Sequence, residues 1–536
     1  MSQALQAVGV LVVAAAVALA VRNRRRDAVE RWLAVLLLPS ALLTVLLGAT
    51  AVLESTTNAW NDIRLGPSVG LLHGFPVYSS PGEGPMTGYI YGPVGPILYL
   101  PAALMPTPSS AVRAGATVAF LMALGPIIVL LLTESDRSRR LLASGCVAVA
   151  CLYMFTTKGM WHMAFSLHVD GPAMGLGVLA CSFVYTTRQR KSPSWVTASA
   201  FAVVLAVGTK QVMVPAVLAI PTYLWLADGL ETARRWTLAL VAVGACALVL
   251  VALLVDVPAM LYYTLVVPAE HELRFGLTRV LADMTPRLGP PAATIVLFAL
   301  LGSWPQRHAG TPRGWVRDNP WLLPVFMGLF CLPTSLLGRA KIGGAVPVLN
   351  FTIYPVFAGA LVACLRASGQ GWRIGPFPAR QVATGYVLMV LVLLLIETVP
   401  QARRLPSVVQ DLPHDAEAAA FAFALAHPGQ VYLPYHPLVT LMSEGRYYHV
   451  LDPLMTWQFL RDASVTDSDA DRRFFLAHVP PQVRFVLESV DGGTPLTHAQ
   501  ARPGWERYVR LYMPSFTRHG DVGLRGWRAL LPASNP

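Results

Sequence analysis

Asp62 stands in the segment WNDIRLGPSVGLLHGFPVYSS, just beyond an apolar run that ends near Leu53. A carboxylate at such a boundary has the chemistry to take a proton from an attacking hydroxyl or amine. The same residue type also serves as a plain solvated loop acid. Glu54, at the end of the run, and Glu83, in a Gly-Pro-rich turn, are second acids of this stretch or merely exposed ones. Asp170, in HVDGPAMGLGVLA, lies where a loop enters another apolar run. It can bind a divalent ion, anchor the fold or cap its helix.

Lysine usage adds cations to this set. The chain has 37 arginines and four lysines, Lys158, Lys191, Lys210 and Lys341. Lys191 falls in a basic loop, whereas the other three fall on the opposite side of the topology derived below. Arg339 lies two residues before Lys341. Such cations can cradle a phosphate or pyrophosphate. Chance placement with snorkelling to headgroups is the competing account.

The elements that position these residues are membrane spans. Hydrophobic residues make up 54% of the 536 residues and charged ones 13%, against about a quarter charged in a soluble domain. Apolar runs recur at about 4–21, 32–53, 112–133, 141–157, 171–187, 196–208, 212–227, 237–256, 291–304, 321–337, 347–365 and 382–399. The basic loops 22–31, 134–140, 188–195, 228–236, 305–320 and 366–380 hold 19 Lys+Arg, against eight in the intervening loops and Arg113 at the start of a run. The positive-inside rule places that basic set in the cytoplasm. Arg22 and Arg24–Arg26 follow the first run instead of preceding it, so we expect a retained helix and not a cleaved signal.

Three domains follow: 1–31, an extra N-terminal span with its basic loop; 32–399, the membrane body, with a large outer loop at 54–112; and 400–536, a soluble domain outside. The expected class is an α-helical polytopic membrane protein of about 12 spans with a small α/β extracytoplasmic tail. It would sit in the plasma (inner) membrane with its site outside. The large loop should form helices lying on the membrane surface. In the loop 257–290, Glu270, Glu272, Arg274 and Arg279 fall at helical spacing. Trp195 to Ala227 should make a tight hairpin with Thr209, Lys210 and Gln211 at its turn.

The net charge of +12 does not indicate nucleic acid: from Gln401 onward there are 13 Lys+Arg and 13 Asp+Glu. The excess belongs to membrane loops. In the tail, DAEAAAFAFALAH reads as a helix, GQVYLPY and VRFVLESV as strands, and His414, His427, His436 and His449 as surface histidines. The tail shows no convincing acid–base pair. The six cysteines all fall in apolar runs, as small core residues.

In this order and on these sides of the membrane, the motifs resemble the GT-C superfamily of membrane glycosyltransferases. They are most similar to bacterial relatives of protein mannosyltransferases and of lipid A aminoarabinose transferases. The resemblance rests on Asp62 followed by Gly74–Tyr78, on Tyr89, Tyr91, Pro93 and Pro96, and on PTPSSAVRAG with Arg113. It continues with Asp170, with Thr209–Lys210–Gln211 and with GRAKIGGAVPVLN ending in Asn350. It covers most of the membrane part and reaches loosely into the tail. The family often pairs two acids where this chain has Asn61 before Asp62.

The resemblance implies a hexosyl or pentosyl transfer from a polyprenyl-phosphate-linked sugar to a lipid, glycan or protein acceptor. Asp62 would activate the acceptor, and Lys210, Arg339 and Lys341 would bind the leaving phosphate. Asp170, Glu54 or Glu83 would supply a second acid or a metal ligand. Tyr89, Tyr91, His168, Gln211 and Asn350 would line the substrate. A divalent cation is compatible with these acids, but the sequence does not require one. A transporter or lipid flippase, and a scaffold whose tail binds a partner, are the other classes that this architecture allows.

Overall fold

The structure is a computed structural model that describes residues 26–80, 83–135, 139–190, 194–300, 311–341, 343–369, 373–374, 377–450, 473, 476–489, 513 and 515–533. The expected N-terminal span 4–21 and Lys191 lie outside the described residues.

Every other expected span falls largely on helix among the described residues, with residues 301–304 of the span 291–304 outside them. The bundle comprises α1 (Arg26–Leu53), α3 (Pro108–Glu134), α4 (Arg140–Tyr153), α6 (Asp170–Arg190), α7 (Ser194–Thr209), α8 (Ala216–Asp228) and α9 (Leu230–Leu254). It continues with α10 (Leu277–Ile295), α11 (Leu322–Phe330), α12 (Leu332–Ala340), α13 (Asn350–Gly369) and α14 (Ala379–Ala402). Among the described residues seven stretches are long and apolar enough to cross a bilayer, or eight with one bent pair. The bent pair is α4 with α5 (Lys158–Phe165), which turn 96° at the break. α13 is the central element, with 94% of its apolar window buried, whereas none of the α9 window is. A helix with Leu248, Leu253 and Leu254 exposed in this way is one whose flank faces lipid. Cys246 on α9 is exposed with it, which corrects its expected place in the core; the other five cysteines are buried.

The large loop after α1 folds as expected into short helices. α2 (Ala59–Leu72) is capped by Asn58, whose side chain accepts from the Trp60 N–H. Two shorter turns, Val94–Leu98 and Leu100–Ala103, follow. The expected hairpin is present: α7 ends at Thr209, Lys210 is extended with φ −150°, and a 3₁₀ turn, Gln211–Met213, leads towards α8. The charges of the 257–290 loop do not share one helical face, because helix stops at Glu270 and resumes only at Leu277. The segment between them is extended, and Leu273 bridges Lys341.

The tail carries α15 (Ala416–Ala426), α16 (Pro437–Glu444) and a four-stranded sheet. Its strands are β1 (Val431–Tyr432), β2 (Phe485–Ser489), β3 (Phe516–Gly520) and β4 (Trp527–Pro532), in the order β1-β2-β4-β3. β1 and β2 are parallel, and the other neighbours are antiparallel. The tail docks directly on α2. Gly66 and Gly70, one turn apart, leave room for the Tyr447 ring; a Cβ at Gly66 would lie 2.4 Å from the Tyr447 hydroxyl.

Candidate functional site

Two clusters meet on α2. Residues two apart on a helix face nearly opposite ways. Asp62 accordingly turns to the tail, while Arg64 acts electrostatically on the cluster around Asp170. Asn61 links the two sides. Its Nδ2 donates to the Ser55 carbonyl at 2.9 Å, and its Oδ1 accepts from the Leu167 N–H at 3.1 Å.

The first cluster gathers most of the residues singled out by sequence. The Lys210 ammonium is ion-paired with the Asp170 carboxylate, and both side chains are buried. His168 Nδ1 lies 2.8 Å from the same carboxylate, and the Tyr91 hydroxyl is 2.8 Å from His168 Nε2. Burial pulls His168 down to about 3, so its imidazole is neutral. The ammonium also lies over the Tyr91 and Phe351 rings, at 4.8 and 5.3 Å from their centroids. Such aromatic faces attract a cation. Gln211 Nε2 donates to the Ile90 and Thr264 carbonyls, and Asn350 Nδ2 donates to the Gly159 carbonyl. Tyr89 holds the Gly92 carbonyl at 2.8 Å. Gly92 is what allows the tyrosine segment to approach: a Cβ there would lie 2.1 Å from the Gly208 carbonyl oxygen. The charges of Arg64, Lys158, Lys210 and Asp170 all reach His162. Arg64, Lys158 and Lys210 are thus three cations whose charges act in the same region as that of Asp170.

Arg339 and Lys341 are turned to internal partners. Arg339 donates to Asp283 at 2.6 and 3.0 Å and to the Gly344 carbonyl at 2.8 Å, and Lys341 donates to the Pro268 carbonyl at 2.7 Å. Glu54 is ion-paired with Arg404 at 2.6 Å. Glu83 is exposed in a turn and does not join either cluster.

The second cluster joins Asp62 to the tail. Asp62 Oδ1 accepts from the Leu438 N–H at 2.9 Å, and Oδ2 lies 3.1 Å from His436 Nδ1. Glu417 completes it: one ligand-type atom from each of the three residues lies within 4.8 Å of the others, and all three are buried. Burial is the main force pushing Asp62 up to about 7, and it holds His436 down at about 4. A carboxyl whose pKa burial raises towards neutrality has the chemistry of a general base.

The position of Glu417 is built locally. Asp415 Oδ1 caps α15 by accepting from the Glu417 and Ala418 N–H groups, while its Oδ2 is held by Arg113 on α3 at 2.6 Å. His436 packs edge-on against Trp527, 4.8 Å between ring centroids.

This corrects two expectations about the tail. His436 and His449 are buried, not at the surface. The tail also supplies an acid and a histidine to Asp62, so Asp62 is not a lone acid. One signal for Glu417 was present in the sequence. It shares the i, i+3, i+7 stripe with Ala420 and Ala424, the face that α15 buries. Arg64 gave no such signal.

Glu417 and His436 line a cavity of about 950 Å³ between the membrane body and the tail. Lys158, Trp161, Arg113 and Glu54 line its body side, and Arg525 and Trp527 its tail side. Asp62 lies behind Glu417 and His436, outside the lining.

No protein-family model matches the chain, and no curated protein matches it by sequence. Two crystal structures share its fold. One is ArnT from Cupriavidus metallidurans in the apo state, at 13% identity and TM-score 0.50, covering 92% of this chain and 98% of that one. The other is the same protein bound to undecaprenyl phosphate, at 13% identity and TM-score 0.50, covering 93% and 97%.

Proposed function

We propose that the chain is a membrane glycosyltransferase. It moves a hexosyl or pentosyl group from a polyprenyl-phosphate donor to a lipid, glycan or protein acceptor on the non-cytoplasmic side. The observation that carries this reading is the pairing, across one short helix, of a buried acid group with an aromatic-lined cluster built around the Lys210 ammonium. A shared fold with ArnT, one structure of which holds undecaprenyl phosphate, supports the choice of donor.

In this reading the acceptor lies in the cavity against Glu417 and His436. Its proton passes to the acid group containing Asp62 as its oxygen attacks the anomeric carbon. The bond from that carbon to the phosphate oxygen breaks, and the electron pair leaves with the polyprenyl phosphate. In-line attack inverts the anomeric centre. Lys210 steadies the phosphate: an ammonium has three donors, and Asp170 occupies one. Charge developing on a leaving oxygen is stabilised most by donors fixed in advance in a dry site. Lys158 at the cavity wall and Arg64 add to the same field. Arg339 and Lys341 join only if they exchange the Asp283 and Pro268 contacts for phosphate. Tyr91, His168, Gln211 and Asn350 fix the surroundings of Lys210.

Mass spectrometry of envelope lipids and glycans, with and without the protein, tests the reading. A sugar missing from one species identifies donor and acceptor together. Substrate movement across proteoliposomes without any transfer would instead make the protein a flippase or transporter.

A further inference from the structure

We propose that Asp62, Glu417 and His436 form a binding site for one divalent cation, zinc in type, where the tail meets α2. The site draws one ligand from the membrane body and two from the tail. It rests on the same acid group as the transferase reading and recasts Asp62 there from proton acceptor to ion ligand; its occupancy is measured without turnover, so the two can fail separately.

The ligand set comes first. Two carboxylates and an imidazole are donors that Zn²⁺ accepts readily, at about 2.0–2.2 Å each. Ligands around one such ion lie roughly 3–3.5 Å from one another. Candidate atoms that all fall within 4.8 Å can close on an ion by side-chain adjustment alone.

The second observation is independent of that spacing. Both oxygens of Glu417 are buried, at 4% exposure, and accept no hydrogen bond from an N–H or hydroxyl group; the group beside them is the second acid, Asp62. A buried carboxylate without a donor is costly. Arg113, the neighbouring cation, is engaged with Asp415. His436 Nδ1 is directed at Asp62. A dication accounts for the two adjacent acids and gives the Glu417 oxygens a cationic partner.

The surroundings are those of a supported site. The Leu438 N–H fixes Asp62 Oδ1 and leaves Oδ2 directed at the cluster. Arg113 and Asp415 fix the start of the helix that carries Glu417. Groups that orient ligands in this way matter to metal affinity almost as much as the ligands themselves. Three protein ligands leave at least one position of a tetrahedral ion unfilled, the pattern of sites that bind or activate something else. Glu417 and His436 both line the cavity. An oxygen of a molecule in the cavity is therefore the natural fourth ligand.

The competing account is a proton shared between Asp62 and Glu417, with no metal. Full-length protein in detergent, stripped with EDTA and dialysed against Zn²⁺ or Mn²⁺, separates the two. Elemental analysis of the wild type should find about one ion per chain, and Zn²⁺ should raise its melting temperature. Glu417→Gln keeps the shape and the capacity to share hydrogen bonds but removes a charged ligand. It should weaken binding by at least about tenfold, since even supporting groups are worth that much. His436→Asn should do the same. A wild type that retains neither ion and shows no thermal shift would overturn the site. Equal uptake by wild type and both variants would also overturn it, by showing adventitious binding elsewhere. Should both variants fail to fold, the stoichiometry and thermal shift of the wild type decide the question alone.

Discussion

The ammonium of Lys210 is bound to the carboxylate of Asp170, and both groups are buried. One residue begins α6 and the other follows the end of α7, so the pair ties two helix ends together. Lys210→Ala should therefore do two things. It should weaken donor binding by on the order of 2–4 kcal/mol, as truncating one partner of a buried charge pair does. It should also destabilise the protein by roughly 3–5 kcal/mol, because Asp170 is left buried and unpaired. The double variant Asp170→Asn/Lys210→Met separates the effects. Thermal melting should recover much of the loss, while titration with undecaprenyl phosphate should not. Lys210→Arg should keep part of the affinity. Normal affinity in Lys210→Ala would reduce the residue to a structural tie.

Asp62→Asn keeps an oxygen to accept the Leu438 N–H but cannot take a proton. Transfer from a polyprenyl-phosphate sugar should fall by about 10²–10⁴-fold, the usual worth of general base catalysis. In EDTA-stripped protein, melting behaviour should stay near that of the wild type. Full transfer by this variant would remove Asp62 from the chemistry.

Gly92→Ala tests the seating of Tyr91 without touching a charged group. An alanine Cβ would collide with the backbone at Gly208, which has no flexible side chain to move aside. The tyrosine segment must retreat from Lys210. Donor affinity should fall while the Asp62 side of α2 stays intact. Uptake of Zn²⁺ by this variant should match the wild type.

We propose that Asn61 and the tail lie outside and Arg190 in the cytoplasm. Single cysteines at these positions, in a background free of native cysteines, can be probed with an impermeant thiol reagent on intact cells. Position 61 is buried in the fold, so an exposed tail position such as Arg525 is the better outer probe. Labelling should occur at 525 and not at 190; labelling at 190 would invert the scheme.

The first cluster was legible in the sequence because each of its members marks a helix boundary. Asp170 opens α6, Lys210 interrupts a helical hairpin, and Tyr91 and Asn350 stand beside Gly and Pro breaks. Boundaries can be read from periodicity and breakers, and all of these lie on one side of the bundle. Arg339 and Lys341 satisfied the same test, yet local acceptors hold them. Sequence separation hides such a pairing: Asp283 is 56 residues from Arg339. Glu417 and His436 were hidden for a related reason. What gives them meaning is contact with Asp62, more than 350 positions away along the chain. Periodicity within the tail carries no record of that contact.

That separation also sets an order of events during synthesis. The Asp62 carboxylate and the Leu438 N–H that binds it are 376 residues apart. At about 5–20 residues per second, roughly 20–75 s pass between the two leaving the ribosome. Throughout that interval the membrane body exists with an unseated carboxylate on α2 and the Gly66–Gly70 face uncovered. A nascent chain in this state is recognisably unfinished. Its maturation is complete only when its last quarter has settled on α2. Truncations in the tail would then be felt as failures of biogenesis before any loss of turnover could be measured.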